Sequence, residues 1–458
     1  MKVIKFGGSS VADANQFRKV RDILLADTTR RIVVVSAPGK RTKEDVKVTD
    51  LLIQSARMRL SGRDVGGEIA RIISRYEGIA CDLGLPAELI QGFHTDLCRR
   101  LEGDTSRTRE FEDGIKALGE MYCAQLMAAY LNESGTPAEF VAPEEAGLLV
   151  SEEYGCARVL EAAYASLAKL RNRKKLVVFP GFYGFTRDGH IATFSRGGSD
   201  LTGAILAAAV GAKVYENFTD VDGIAAADPR ILKNPALIPE LTYQELRELS
   251  YGGFSVFHEE AMLPVFEAGI PINVRNTNNP SHPGTWVVST RDIGGRAIVG
   301  VACDRGFCGI YVNKYLMNRE KGFGRKLLQI IEEEDLSFDH APSGVDNLTV
   351  ILRQNQLTAQ LIDRIKDRIT RELAADTVSI ENDIALLSVV GHGMRKTLGM
   401  AARVTGALAT AKVNIEMLMQ GPSELTMILG VKDEDAAVAV RAIYDEFFNP
   451  SAEPPPLP

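Results

Sequence analysis

The chain has 458 residues, enough for two or three domains that each bury a core. Its composition, 45% hydrophobic and 25% charged, is that of an ordinary globular protein, and a net charge of −7 with no strongly basic half excludes a broad nucleic-acid-binding surface. No apolar run is long enough to cross a bilayer, and neither a C-x-x-C pair nor a Cys/His metal spacing occurs, so the expectation is a cytoplasmic protein without signal peptide, membrane partner or resident metal site.

The first predicted element is a strand, Val3 to Phe6, which stops at Gly7-Gly8-Ser9-Ser10 and precedes a helix from about Ala12 to Ala26. A strand ending in two glycines at a helix N-terminus suits phosphate, because glycine lets backbone N–H groups approach the oxygens closely. Lys5 lies just before that turn, within reach of the same phosphates. The spacing is neither G-x-x-x-x-G-K-[ST] nor G-x-G-x-x-G. Arg31 to Gly39 reads as a second strand, continuously apolar as in a parallel strand covered on both faces. Ser36 and Thr49 lie near its carboxyl end, as ligand hydroxyls or as a turn serine and an N-cap threonine. From about Asp50 to Ala168 the pattern is mostly helical, and Glu120 within it is either a surface first-turn carboxylate or an acceptor for an ammonium. The six cysteines are expected to be mostly small buried thiols.

Lys175 to Gly184 is a third strand. After the Gly189 to Phe194 segment comes Ser195-Arg196-Gly197-Gly198-Ser199-Asp200, then an Ala-rich helix that stops at Gly211. Ser199 or Asp200 is expected to cap this helix, and Arg196 offers a fork for a carboxylate or phosphate. Either a small anion is held here, or the segment is a plain cap with a surface arginine. Ala212 to Ile224 is a fourth strand with an acidic turn, and alternating strands and helices over about 290 residues predict an α/β fold with a mainly parallel sheet.

Lys5-Phe6-Gly7-Gly8-Ser9-Ser10, Ser195 to Asp200, and Thr219-Asp220-Val221-Asp222-Gly223-Ile224 occur in this order. Together they resemble the aspartokinases of the amino-acid kinase fold, from residue 1 to about 449. The resemblance implies ATP-dependent phosphorylation of the aspartate β-carboxylate with Mg²⁺, using Lys5, Gly8 and Asp200 at the reacting phosphate. It implies that Lys5, Gly7, Gly8, Ser9, Thr219, Asp220, Arg230 and the Ser255 position line the ATP site. Arg196 would take the α-carboxylate of aspartate and Glu120 its ammonium, with Ser36, Thr49, Phe182 and Ser199 completing that side. Two departures bear on the nucleotide pocket: Ala225 stands where the family usually has Tyr, and Ser255 where it usually has a nucleotide-contacting Lys. Alternatives are another carboxylate or carbamate kinase of the same fold, or a catalytically weakened amino-acid-sensing homologue. His258 and His392 read as structural.

Beyond residue 291 the pattern changes to two successive βαββαβ units. The predicted strands are 297–302, 309–312, 336–339, 347–352, 384–390, 415–418 and 424–431. The predicted helices are 323–332, 358–374, 399–410 and 433–447. The units resemble ferredoxin-like ACT regulatory domains. That implies a catalytic domain over 1–291 and tandem, interleaved ACT domains over 292–449, the first about 310–383 and the second about 295–309 plus 384–449. It also implies a homodimer or dimer of dimers through those domains. An amino-acid effector, by analogy lysine, would meet Met317, Gly322, Phe323, Gly324, Ser337, Phe338 and Asp339, with Glu320 as a second acceptor for a diamine. Residues 450–458, rich in proline, read as a disordered tail with no further fused domain.

Overall fold

The structure is a computed structural model that describes residues 1–195, 197–254, 259–294, 296–421 and 425–449, the side chains of residues 259, 260 and 396 excepted. The chain forms two compact units: Met1–Ile224 with Leu237–Tyr243 and Ser255–Arg291, and Ala225–Ala236 with Gln244–Phe254 and Asp292–Pro458. The tail at 450–458 lies outside the described residues.

Among the described residues the first unit is built on ten strands: β1 (Lys2–Phe6), β2 (Arg30–Val35), β3 (Ala138–Phe140), β4 (Leu176–Pro180), β5 (Tyr183–Phe185), β6 (Ile191–Thr193), β7 (Val214–Thr219), β8 (Glu240–Thr242), β9 (Ile272–Asn276) and β10 (Thr285–Val288). Eight of them form one sheet in the order β3-β4-β2-β1-β7-β9-β10-β8, parallel except for the β9–β10 pair, while β5 and β6 form a separate hairpin. Ile4, Phe6, Val33, Val35, Val178 and Phe218 are buried on strands covered by helices, which is why β2 and β4 carry apolar runs, while β1 and β7 also bury Lys5, Glu216 and Asn217. A helical layer covers one side, with Phe93 stacked on Tyr122 at 4.5 Å between centroids and Tyr76 edge-on to both. The carboxyl ends of β1, β2, β4 and β7 lie side by side in the sheet, where open α/β sheets place their ligands.

The second unit carries a five-stranded antiparallel sheet of β11 (Gly300–Asn313), β12 (Asn347–Arg353), β13 (Thr377–Val390), β14 (Met417–Gln420) and β15 (Thr426–Lys432), in the order β12-β11-β13-β15-β14. Helices Phe323–Glu333 and Ala359–Leu373 pack through Leu327, Ile330, Ile365 and Ile369 onto Ile310, Val350 and Leu352. The predicted strands 297–302 and 309–312 are one long strand here, because β11 pairs with β13 along nearly its whole length through an irregularity at Asp304–Phe307. The strand expected at 336–339 is absent. His340 makes an isolated bridge to Ile351, and Ser337 is instead tied to Gln356. Of the cysteines only Cys123 and Cys308 are buried, so most are not core thiols, and all six are free.

Candidate active site

Lys5 lies on β1 opposite Asn217 of β7 in parallel register, and both side chains are buried. Lys5 Nζ sits 2.6 Å from Asp200 Oδ1, and Asn217 Nδ2 donates to the same oxygen at 2.7 Å. Asp200 is in the first turn of helix Gly198–Val210, and the Tyr215 hydroxyl donates to its backbone carbonyl at 3.1 Å. The Tyr215 ring leaves no room for a side chain at Gly203, whose Cβ would stand 2.5 Å from the hydroxyl oxygen. The helix thus rests directly on β7, with Asp200 over Lys5.

The cap of this helix differs from expectation. Gly197, at φ 75° and ψ 15°, is the N-cap, and among the described residues no side chain caps the helix; Ser199 and Asp200 lie within its first turn. Only glycine adopts that left-handed backbone at low cost. Gly211 closes the helix in the left-handed conformation as expected.

The glycine turn after β1 passes into a short 3-10 segment, Gly8–Val11. The α-helix begins only at Ala14, capped by Asp13, which accepts from Gln16 N at 2.9 Å. The expected helix N-terminus at Gly7-Gly8 is therefore a tight turn of amides. A Cβ at Gly39 would meet the Gly8 carbonyl carbon at 2.7 Å, so the loops after β1 and β2 pack backbone on backbone. A Cβ at Gly7 would meet only Lys5 Nζ and Phe218 O at ordinary contact distance, so space remains beside the lysine. Ser9 is exposed and Ser36 half-buried, its N–H donating to Phe6 O at 3.1 Å.

Glu120 is not a surface carboxylate but only 5% exposed, in the first turn of helix Leu118–Glu133. Gly119 lets that turn close on the β2 loop, since a Cβ there would meet Ala37 Cβ at 2.8 Å. Tyr76 holds the turn by donating to Gly119 O at 2.7 Å. Burial pushes the Glu120 carboxyl up to about 8, against the opposing pull of backbone hydrogen bonds from Ala37 and Glu120 and of the Lys5 charge. Its Oε2 is buried without a hydrogen-bond partner among the described residues. A buried carboxyl with an empty acceptor suits a cationic ligand group.

Phe182, the residue before β5, holds φ 80°, a left-handed backbone strained for an aromatic residue. Thr202 over-determines it: its hydroxyl accepts from Phe182 N at 3.0 Å and donates to Gly198 O at 2.9 Å. Ser199 is buried, and Gly181 has no Cβ because Ser199 fills that space. Thr49 is the second residue of helix Val48–Leu60 rather than its N-cap, which is Lys47. Thr219 donates to Asp220 at 3.1 Å at the end of β7, and the acidic turn beyond is pinned by Asn276 and Asn279 on Asp222 Oδ1. Arg230 falls in the second unit, where it pairs with Asp228 at 2.7 Å. Arg196, Ser255 and His258 lie outside the described residues.

The segment entering 195–200 has an anchor that sequence reasoning missed. Asp113, 2% exposed, accepts from Thr193 N at 2.7 Å and Gly155 N at 2.8 Å and pairs with Lys116. Asn217 was also missed. Its signal was a polar amide between Glu216 and Phe218 in the middle of a strand, two residues before Thr219.

In the second unit Met317 and Phe323 are buried, Gly322 at φ 80° caps the helix that starts at Phe323, and Gly324 lies in its first turn. Phe338 is exposed, and Asp339 Oδ1 accepts from the Tyr251 hydroxyl at 3.1 Å. Glu320 does not stand open as a second acceptor, because Lys314 and Lys326 both pair with it and hold its carboxyl below the usual range.

Among the described residues no cluster of His, Cys, Asp and Glu could hold a metal, and no helix is long and apolar enough to cross a membrane. The amino acid kinase family matches residues 1–276, and an ACT domain matches residues 387–447. Aspartokinase 3 of Bacillus subtilis is 51% identical over 448 residues, 98% of this chain and 99% of that protein. The crystal structure of the Clostridium acetobutylicum aspartate kinase superposes with a TM-score of 0.88 at 39% identity, covering 98% of this chain and all of that one. E. coli aspartokinase III matches across 98% of this chain in two states. In complex with aspartate and ADP (R-state) it has a TM-score of 0.78 at 26% identity over 100% of that chain; with lysine and aspartate (T-state), 0.76 at 25% over 99% of that chain. With the motifs, the parallel sheet and the buried lysine centre in place, these full-length matches show that the chain belongs to the amino acid kinase family and, within it, to the aspartokinases.

Proposed function

We propose that this chain transfers the γ-phosphoryl group of ATP to the β-carboxylate of L-aspartate, giving 4-phospho-L-aspartate and ADP. This is the first step toward the aspartate-derived amino acids lysine, threonine and methionine, carried out in the cytoplasm and regulated through the ACT domains. The observation that carries this reading is the pair of buried Lys5 with half-buried Asp200 beside the open Gly7 turn, together with Glu120, a buried carboxyl with an unfilled acceptor.

The nucleophile has a pKa of roughly 4 and is ionised at neutral pH, so no general base is required. The work is to align two anions and offset the charge that develops on the transferring group. Lys5 and the amides of Gly7, Gly8 and Ser9 do this at the phosphates, and Asp200 fixes the lysine. Arg196 takes the α-carboxylate of aspartate, and Glu120 accepts its ammonium. Ser36, Thr49, Phe182 and Ser199 shape the rest of that pocket. Thr219 and Asp220 border the nucleotide, with Arg230 and Ser255 as its further contacts. Magnesium, when bound with the nucleotide, neutralises phosphate charge. The half-buried Asp200 carboxylate suits its water shell, as expected for an ion that keeps most of its waters.

We assign residues 1–291 to catalysis and 292–449 to interleaved ACT domains that pair the chain into a homodimer or dimer of dimers. Lysine is the favoured effector, held by Met317, Gly322, Phe323, Gly324, Ser337, Phe338 and Asp339. The catalytic assignment is tested by trapping acyl phosphate as hydroxamate with L-aspartate, L-glutamate, acetate and carbamate as acceptors. L-aspartate alone should give strong product. Equal or better product from another acceptor, or none at millimolar ATP and aspartate, would reject it.

A further inference from the structure

We propose that Asn217 is a positioning residue for phosphoryl transfer, holding the Asp200 carboxylate where it fixes Lys5 at the phosphate turn. The inference rests on the reading of Lys5 and Asp200 given above. Asn217 sits in the middle of β7, where asparagine is disfavoured, between the buried Glu216 and Phe218. In parallel register with Lys5 it shares that residue's face of the sheet. Its Nδ2 and the Lys5 ammonium converge on one oxygen, Asp200 Oδ1, at 2.7 and 2.6 Å. A carboxylate only accepts, so it is the amide's donor end that faces Asp200. The other end, Oδ1, is buried and has no hydrogen-bond partner among the described residues.

A buried amide retained with its acceptor unmet is costly, and an apolar side chain would suit the strand better. Its donor end is therefore the reason for its presence. Tyr215, two residues earlier on the same face, donates to the Asp200 backbone carbonyl. One face of β7 thus grips the first helical turn by backbone and by carboxylate. Without Asn217 the carboxylate keeps its backbone position but loses the bond that sets its rotation, and Lys5 loses its fixed partner.

The test is a double-mutant cycle of Asn217→Leu, nearly isosteric and apolar, with Asp200→Asn, reading kcat, both KM values and the thermal midpoint. Asn217→Leu should lower kcat by about 10–100-fold while the aspartate KM stays within about twofold. Asn217→Leu should add little further loss in the Asp200→Asn background, because it acts through that carboxylate. Unchanged kcat, whatever the thermal midpoint, overturns the proposal, and so do losses that simply multiply. If Asn217→Leu does not fold, Asn217→Ser, which keeps a donor, carries the same cycle with a smaller loss. Wild-type kcat in Asp200→Asn itself would show instead that the parent reading of the Lys5–Asp200 centre is wrong.

Discussion

At the scale of residues, the site separates two carboxyl groups, a half-buried Asp200 and a buried Glu120, by what each faces. Asp200 has a cation 2.6 Å away, whereas Glu120 has an unfilled acceptor. Burial raises Glu120 from the usual 4.5 to about 8, so at pH 7 it holds a proton in the free enzyme. An aspartate ammonium placed against it favours the anion. Aspartate binding at pH 7 should therefore release up to about one proton. Calorimetric titration in buffers of different ionisation enthalpy measures this directly. Glu120→Gln should abolish the release and weaken aspartate binding by roughly 10-fold or more; buffer-independent heats in the wild type would remove Glu120 from the ammonium site. The same shift has a stability consequence. A raised folded value means that the folded state keeps a proton the unfolded chain loses, so this contribution is present below about 4.5 and is lost as pH rises to about 8. The unfolding free energy should fall over that window by an amount on the order of a few kcal/mol, read from denaturant unfolding at each pH, and Glu120→Gln should flatten the slope.

At the scale of elements, much of the fold was legible in the sequence and the site only in part. The strands at β2 and β4 could be read from their apolar runs, whereas β1 and β7 are mainly buried strands that also carry Lys5, Glu216 and Asn217. The helices Phe323–Glu333 and Ala359–Leu373 lie where the sequence places them, within a residue or so at each end, and Thr358, expected inside the second, is its N-cap. The capping of helix Gly198–Val210 was misread, since composition cannot show that Gly197 turns left-handed. The strand expected at 336–339 does not form, because Ser337 spends its backbone N–H on a side chain, a choice local sequence does not reveal. Burial of Glu120 depends on a loop about 80 residues earlier closing on Gly119, so only the fold discloses it. The hairpin anchor at Asp113 is equally non-local. Both amides donate to Asp113 Oδ2 and Lys116 pairs with Oδ1, so Asp113→Asn keeps one acceptor for the amides but sets an NH2 group against the Lys116 ammonium. It should cost about 3 kcal/mol, read from urea unfolding, and should raise the aspartate KM more than the ATP KM by loosening the entry to Ser195–Asp200. A stability loss below about 0.5 kcal/mol would show that the anchor is replaceable.

At the scale of the whole molecule, a catalytic α/β unit is joined to a unit that matches ACT regulatory domains. With Glu320 already paired to two lysines, Asp339 is left as the ammonium acceptor of the proposed effector site, and its present partner is the Tyr251 hydroxyl. Lysine should inhibit aspartate phosphorylation in steady-state assays, and Asp339→Ala should raise the inhibitory concentration about 10-fold or more without changing uninhibited kcat. Inhibition unaltered in Asp339→Ala, or inhibition by threonine or methionine in place of lysine, would reject that assignment.

The central claim is that the Lys5 centre carries phosphate from ATP to aspartate. It is tested most directly by rapid-quench single turnover with γ-labelled ATP and L-aspartate. Label should appear on aspartate as an acid-labile acyl phosphate in the wild type, and Lys5→Met should slow that step by roughly 100-fold or more while still binding nucleotide. Transfer by Lys5→Met at the wild-type rate, or label appearing only as inorganic phosphate in the wild type, would contradict the account.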